Sequence, residues 1–147
     1  MKKIFTIGFT KKTAEEFFSL LEKNNIACVV DVRLNNTSQL AAFSKFPDIK
    51  FFLNRICRIN YIHDIKLAPT KNILNEGKKH SIDWHEYEIE FEKLMKEREI
   101  NEYIFENYSS ADNLCLLCSE PTPEKCHRRL VAEKFSKVFK DVKIIHL

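Results

Sequence analysis

The sequence predicts an α/β fold: a three-layer sandwich with a mostly parallel central sheet of about five strands. Three observations predict it. Short apolar, β-branched runs alternate along the chain with segments whose apolar residues recur at helical spacing. The run at residues 26–32 is almost wholly apolar, as expected of a strand covered on both faces. Between it and an earlier strand-like run at residues 3–7 lies a helix start signal, so strand, helix and buried strand describe one βαβ unit.

Taken in order, residues 3–7 form the first strand and close on Gly8. Thr13-Ala14-Glu15-Glu16 has the spacing of a capping box, in which a Thr and a Glu three residues on satisfy each other's free backbone N–H groups. The helix it opens presents Phe17, Leu20 and Leu21 to the core and ends near Asn24 and Asn25. After the second strand, residues 34–45 are polar and read as a loop or a short irregular helix. Pro47-Asp48 starts a helix that carries Ile49, Phe52, Leu53 and Ile56 at helical spacing. Residues 61–63 are a candidate third strand. Residues 64–81 show little periodicity, with Pro69 and Gly77 as punctuation, and read as a long loop or lid.

Asp83 opens the next helix, with Trp84, Tyr87, Phe91, Leu94 and Met95 along one side. Residues 114–118 are a further buried strand. Thr122-Pro123-Glu124 reads as an N-cap, a proline at the first helical position and an acid in the first turn. That helix turns Leu130, Val131 and Phe135 inward, and residues 142–145 supply the last strand. With no repeat, low-complexity tract or linker, the 147 residues fit one domain with a substantial core.

Composition narrows the function classes. Hydrophobic residues make up 44% and charged residues 31%, a globular balance. No apolar run approaches the roughly 20 residues of a membrane span, and the N-terminal residues lack a secretory pattern, so the expectation is a cytoplasmic protein. A net charge of +3 built from well-mixed residues is only weak support for a nucleic-acid partner. The 5 cysteines are odd in number and are expected to be reduced. With 2 glycines, Gly8 and Gly77, neither a dinucleotide-binding glycine fingerprint nor a Walker phosphate loop can be written.

Ligands of open parallel sheets collect at the carboxyl ends of the strands. Gly8 and Thr10 follow the first strand, Asp31 and Arg33 end the second, and Cys118 and Glu120 end the fourth. Alternation puts Asp31 and Arg33 on one face, either as part of a site or as a structural ion pair. The stretch from Cys118 to Arg129 is the most informative in the chain. A helix beginning at Thr122 would set its N-terminal N–H groups beside Arg128 and Arg129, a place for phosphate, sulfate or carboxylate. The same field would lower the pKa of Cys126 and make it a candidate nucleophile. Alternatively Cys126 faces inward with Leu130 as a small hydrophobe. Cys115, Cys118, Cys126 and His127 are four possible zinc ligands, but residues 115 and 118 point to opposite faces of a strand. No metal or cofactor is therefore expected. His63, His80, His85 and His146 have no local partner pattern, and the short basic stretch Lys78-Lys79-His80 reads as a solvated loop.

Thr6-Ile7-Gly8-Phe9-Thr10, Asp31-Val32-Arg33, Phe43-Ser44-Lys45, and above all Leu117-Cys118-Ser119-Glu120 with Cys126-His127-Arg128, resemble the domain-of-unknown-function family 488 (DUF488). The resemblance spans nearly the whole chain and includes Trp84 and the helix after it. It implies a compact α/β domain with Asp31, Arg33, Glu120, Cys126, His127 and Arg128 as the site, and it implies no particular reaction. Members usually carry His where Phe9 stands, Pro where Asn35 or Asn36 stands, and a Gly-rich turn near Leu67, so the acid/base role of the first strand end is weakened here. A fainter likeness to rhodanese-type sulfurtransferases is architectural: Pro121 and Pro123 lack the N–H groups an anion-wrapping loop needs.

Three functions follow as expectations. One is an enzyme acting on a phosphorylated or nucleotide-like substrate or a nucleic-acid end. In it Arg33 and Arg128 clamp the anion, Glu120 or Asp31 acts as base and His127 shuttles the proton. The second is a non-catalytic module that binds an anionic ligand or nucleic acid. The third is a thiol-dependent enzyme using Cys126.

Overall fold

A computed structural model describes residues 1–37, 41–78 and 82–147. The basic stretch ending at His80 and the last residues of the 64–81 segment lie largely outside them. Five strands, β1 (Lys2–Gly8), β2 (Cys28–Asp31), β3 (Asn60–His63), β4 (Leu114–Cys118) and β5 (Val142–His146), form one sheet in the order β3-β2-β4-β1-β5. All adjacent pairs are parallel, so the carboxyl ends of β1, β2 and β4 share one edge.

Two apolar layers cover the sheet. On one face α1 (Ala14–Lys23) and α2 (Asp48–Phe52) pack Phe17, Phe18, Leu21 and Ile49 against Phe5, Ile7, Val29, Cys115 and Leu117. On the other, α4 (Trp84–Glu97), α5 (Ile100–Tyr108) and α6 (His127–Val138) pack Phe91, Met95, Ile104, Val131 and Phe135 against Ile4, Val30, Leu114 and Leu116. This second layer also takes Ile73 from α3 (Lys71–Lys78). The three-layer arrangement and the strand positions agree with the sequence reading. No helix among the described residues is long and apolar enough to cross a membrane.

Local signals hold where the chemistry is explicit. Thr13 Oγ1 accepts the Glu16 N–H at 3.1 Å, and Asp83 Oδ1 accepts the Glu86 N–H at 2.8 Å. Elsewhere packing overrides pattern. Phe18, not Leu20, is buried on α1. Ile56 is 61% exposed, because the chain winds from α2 into a wider π-type turn, Leu53–Cys57, that turns it outward. Residues 64–81 are no bare loop: a 3-10 turn at Ile65–Leu67 is followed by α3, which seats Ile73 in the core with few apolar residues to announce it. Leu67 and Ala68 are fully buried, so this segment is anchored at its start.

Two corrections bear on the site. The helix α5 has no start signal in the sequence. It is separated from α4 by Glu99, whose φ of 51° breaks the helix without a glycine or proline. The helix α6 begins at His127, with Cys126 as N-cap, rather than at Thr122. Its preceding residues form turns in which the Cys126 N–H bonds the Pro123 carbonyl at 3.2 Å.

Gly8 controls how closely this turn approaches β1. A Cβ on residue 8 would lie 1.7 Å from the Glu120 carbonyl oxygen and 2.9 Å from Arg128 Nη1. Because the nearest atom is backbone, the β4–α6 turn itself would have to move. Gly8→Ala is therefore expected to destabilise the protein by about 3 kcal/mol, the upper end of overpacking costs, measured as the shift in urea midpoint. A loss under about 0.5 kcal/mol, the range of neutral surface changes, would show that the turn yields freely.

Candidate functional site

The carboxyl edge of the sheet carries two buried guanidinium groups, each fixed differently. Asp31 Oδ1 accepts from the Arg33 backbone N–H at 3.2 Å and from Nε at 2.8 Å. Its Oδ2 accepts from Arg33 Nη2 at 2.7 Å and from the Tyr61 hydroxyl at 2.5 Å. The Arg33 Nη2 also donates to the Ser44 carbonyl at 2.7 Å. The carboxylate is 0% exposed and four donors occupy it, so Asp31 orients Arg33 instead of standing free as a base. Burial and the Asp31 charge push the Tyr61 phenol well up, so it remains a donor to the carboxylate.

Arg128 is also fully buried. Its Nε donates to Thr6 Oγ1 at 3.3 Å, and Nη1 donates to the Glu120 carbonyl, tying β1 to the turn after β4. Among the described residues no carboxylate forms a salt bridge with it. Among the described residues, Arg33 Nη1 and Arg128 Nη2 are buried without a hydrogen-bond partner.

Beside these charges a cleft of about 840 Å³ opens between the ends of β2 and β4 and the helices α3, α4 and α6. Its walls include Arg33 and Asn35 after β2, Pro69, Leu74 and Gly77 around α3, Trp84 and Tyr87 of α4, and Glu120 and Lys125 of the β4–α6 turn. The Trp84 and Tyr87 rings stack at 4.9 Å with 14° between their planes. Glu120 and Lys125 are exposed at the rim, whereas Gly8, Thr10, Asp31 and Arg128 do not line the cleft. Thr10 stands in an exposed turn and its N–H bonds the Ser119 carbonyl at 3.1 Å.

The floor is made by Cys118, Cys126 and His127, all buried, with their ligating atoms within 4.8 Å of one another. His127 Nε2 lies 2.7 Å from the Val32 carbonyl, which can only accept, so this nitrogen carries a proton, and in the neutral ring the lone pair is on Nδ1. Cys118 Sγ lies 3.5 Å from Nδ1 and 3.8 Å from Nε2, beside the ring. A hydrogen bond from the Cys126 thiol holds the Cys118 pKa below its usual value, with help from the Ser119 N–H and the two arginines. Donating that bond, together with burial, drives the Cys126 thiol far upward. The two thiols are thus coupled through one hydrogen bond, with Cys118 on the side whose pKa is lowered.

Of the residues singled out in the sequence, Arg33, Glu120, Cys126 and His127 meet at the cleft. Cys118, also marked in the sequence at the end of its strand, is with them, and Trp84, Tyr87 and Lys125 complete the lining named above. Cys115 and Cys118 do face opposite layers, as alternation requires. The convergence that pattern could not reveal is between Cys118 at the end of β4 and the Cys126-His127 pair, which a start of α6 at Thr122 would have carried into the helix. The signal available was the turn-forming content of Pro121 to Glu124, which can be read as a loop delaying the helix.

Fold and site together define a small parallel α/β domain with a cysteine- and histidine-floored cleft at its strand ends. The chain belongs to the family described as Domain of unknown function DUF488, whose profile matches residues 13–135. No curated protein and no solved structure matches it.

The Asp31–Arg33 pair generates a test of this edge. Asp31→Asn leaves a guanidinium buried without its counter-charge and is expected to cost about 3–5 kcal/mol in equilibrium denaturation. A cost near that of an exposed pair, under about 1 kcal/mol, would mean that water reaches Arg33.

Proposed function

We propose that the chain is an enzyme acting on a small, phosphorylated, nucleotide-like anion held in the cleft. The observation that carries this reading is the buried guanidinium of Arg33 in the cleft wall, whose Nη1 has no hydrogen-bond partner among the described residues. An unmatched buried donor costs about 1–3 kcal/mol, more when charged, and an anion at this edge offsets that cost. Arg33 in the wall and Lys125 at the rim supply the attraction, and the stacked Trp84 and Tyr87 offer a flat apolar surface for a planar ring. Cleft volume fits a small ligand of this kind.

In this reading Glu120, exposed at the rim and free of the structural duties that occupy Asp31, is the general base. His127, whose Nε2 donates to the Val32 carbonyl, completes the floor beneath it with Cys118 and Cys126. A non-catalytic module that binds the same anion differs in one respect: it makes no use of the Glu120 carboxylate.

Isothermal titration calorimetry with a nucleoside monophosphate and with inorganic phosphate tests the binding. Lys125→Ala is expected to weaken the nucleotide about tenfold, the worth of one charge-assisted contact of roughly 1.4 kcal/mol, with an unchanged melting temperature. Glu120→Gln is expected to bind like the parent and to lose turnover. Nucleotide binding indifferent to both Lys125→Ala and added salt would overturn the anion reading, and turnover preserved in Glu120→Gln would remove the base.

A further inference from the structure

We propose that Cys118, Cys126 and His127 form a site for a zinc-class divalent cation, with its remaining coordination position open to the cleft. The proposal does not rest on the nucleotide reading, since it concerns the floor and needs no ligand above it.

The donor set is the first argument. Two thiol sulfurs and one imidazole nitrogen are a borderline-soft combination that favours zinc over magnesium or calcium, which take oxygen. Three protein ligands with a vacant fourth position are the pattern of catalytic rather than structural zinc. Here the three side chains are 5%, 3% and 6% exposed, yet all line the same cleft, so the free position opens into it.

Distance is the second argument. A tetrahedral zinc with Zn–S of about 2.3 Å and Zn–N of about 2.0 Å sets sulfur and nitrogen about 3.5 Å apart. Cys118 Sγ is 3.5 Å from His127 Nδ1 but also only 3.8 Å from Nε2, so in the metal-free cluster it lies against the ring and must swing toward the Nδ1 lone pair to share a cation. All three ligating atoms lie within 4.8 Å, so the set contracts onto a cation by rotation of the cysteine side chains about one torsion each.

The third argument is the outer support. Metal-binding histidines typically donate their other N–H to a carbonyl or carboxylate, which fixes the tautomer. His127 does this through Nε2 to Val32, leaving Nδ1 for the cation. The Phe91 ring packs against the imidazole, its centroid 5.9 Å away. Charge also balances: two thiolates neutralise a divalent ion, so the buried arginines nearby face a neutral cluster and favour an anionic ligand in the open position.

Titration of metal-free, reduced protein with cobalt(II) tests the site. One equivalent is expected to give thiolate-to-cobalt charge-transfer absorption and the intense visible bands of a four-coordinate ion, displaced by zinc. Cys118→Ser and Cys126→Ser are each expected to weaken binding by more than about 100-fold, beyond the 10–100-fold of a supporting residue. Cys57→Ser, at a half-buried thiol away from the cleft, is expected to bind as the parent does. Absence of thiolate charge transfer in the parent protein would overturn the proposal, whether or not the variants fold. So would cobalt affinity undiminished in both Cys118→Ser and Cys126→Ser. Neither result touches nucleotide binding measured by calorimetry.

Discussion

The carboxyl edge of this sheet is organised by one close approach, that of the Glu120 carbonyl to the α-carbon of Gly8. Only a residue without a Cβ lets the turn after β4 lie so tightly on β1. Once it does, Arg128 reaches both the Glu120 carbonyl and Thr6, and α6 starts with Cys126 and His127 facing the end of β4. The Val32 carbonyl then takes the His127 N–H, which ties the start of α6 to the end of β2. Three strand ends are thus joined through one turn, and the floor of the cleft is the result.

The same edge concentrates charge in a way that core packing alone does not require. Arg33 is matched by Asp31, a buried bidentate pair that sets loop geometry and adds little net stability compared with an apolar substitute. Arg128 has hydrogen bonds but, among the described residues, no salt bridge. Burying a guanidinium this way is costly unless something anionic is nearby, and the arginines in turn help to lower the pKa of the Cys118 thiol. Arginine, thiol and imidazole therefore form one electrostatic unit. Its stability and its chemistry have the same origin.

Much of this was legible in the sequence. The strands announced themselves as apolar runs, and Thr13 and Asp83 as caps, because those signals are local and chemical. The segment from Cys118 to Arg128 stood out for its residue types. What escaped was whatever depends on tertiary context. The helix α5 is separated from α4 by the left-handed Glu99, a position no glycine or proline marked. The helix α3 has too few apolar residues for periodicity to register. Most consequential, the Thr122-Pro123-Glu124 cap signal competed with a turn and lost, moving the start of α6 to His127. Alternation correctly separated Cys115 from Cys118, but it said nothing of residues brought back by a turn, and so the Cys118, Cys126 and His127 cluster was invisible to it.

The β4–α6 turn holds His127 with Nε2 protonated on the Val32 carbonyl and Nδ1 toward the Cys118 thiol. Nitrogen-15 chemical shifts of the His127 ring, measured on reduced and metal-free protein at neutral pH, test it most directly. The account predicts a pyrrole-like Nε2 carrying the proton and a pyridine-like Nδ1. The opposite tautomer, or two averaged shifts from a ring that exchanges freely with water, would contradict it.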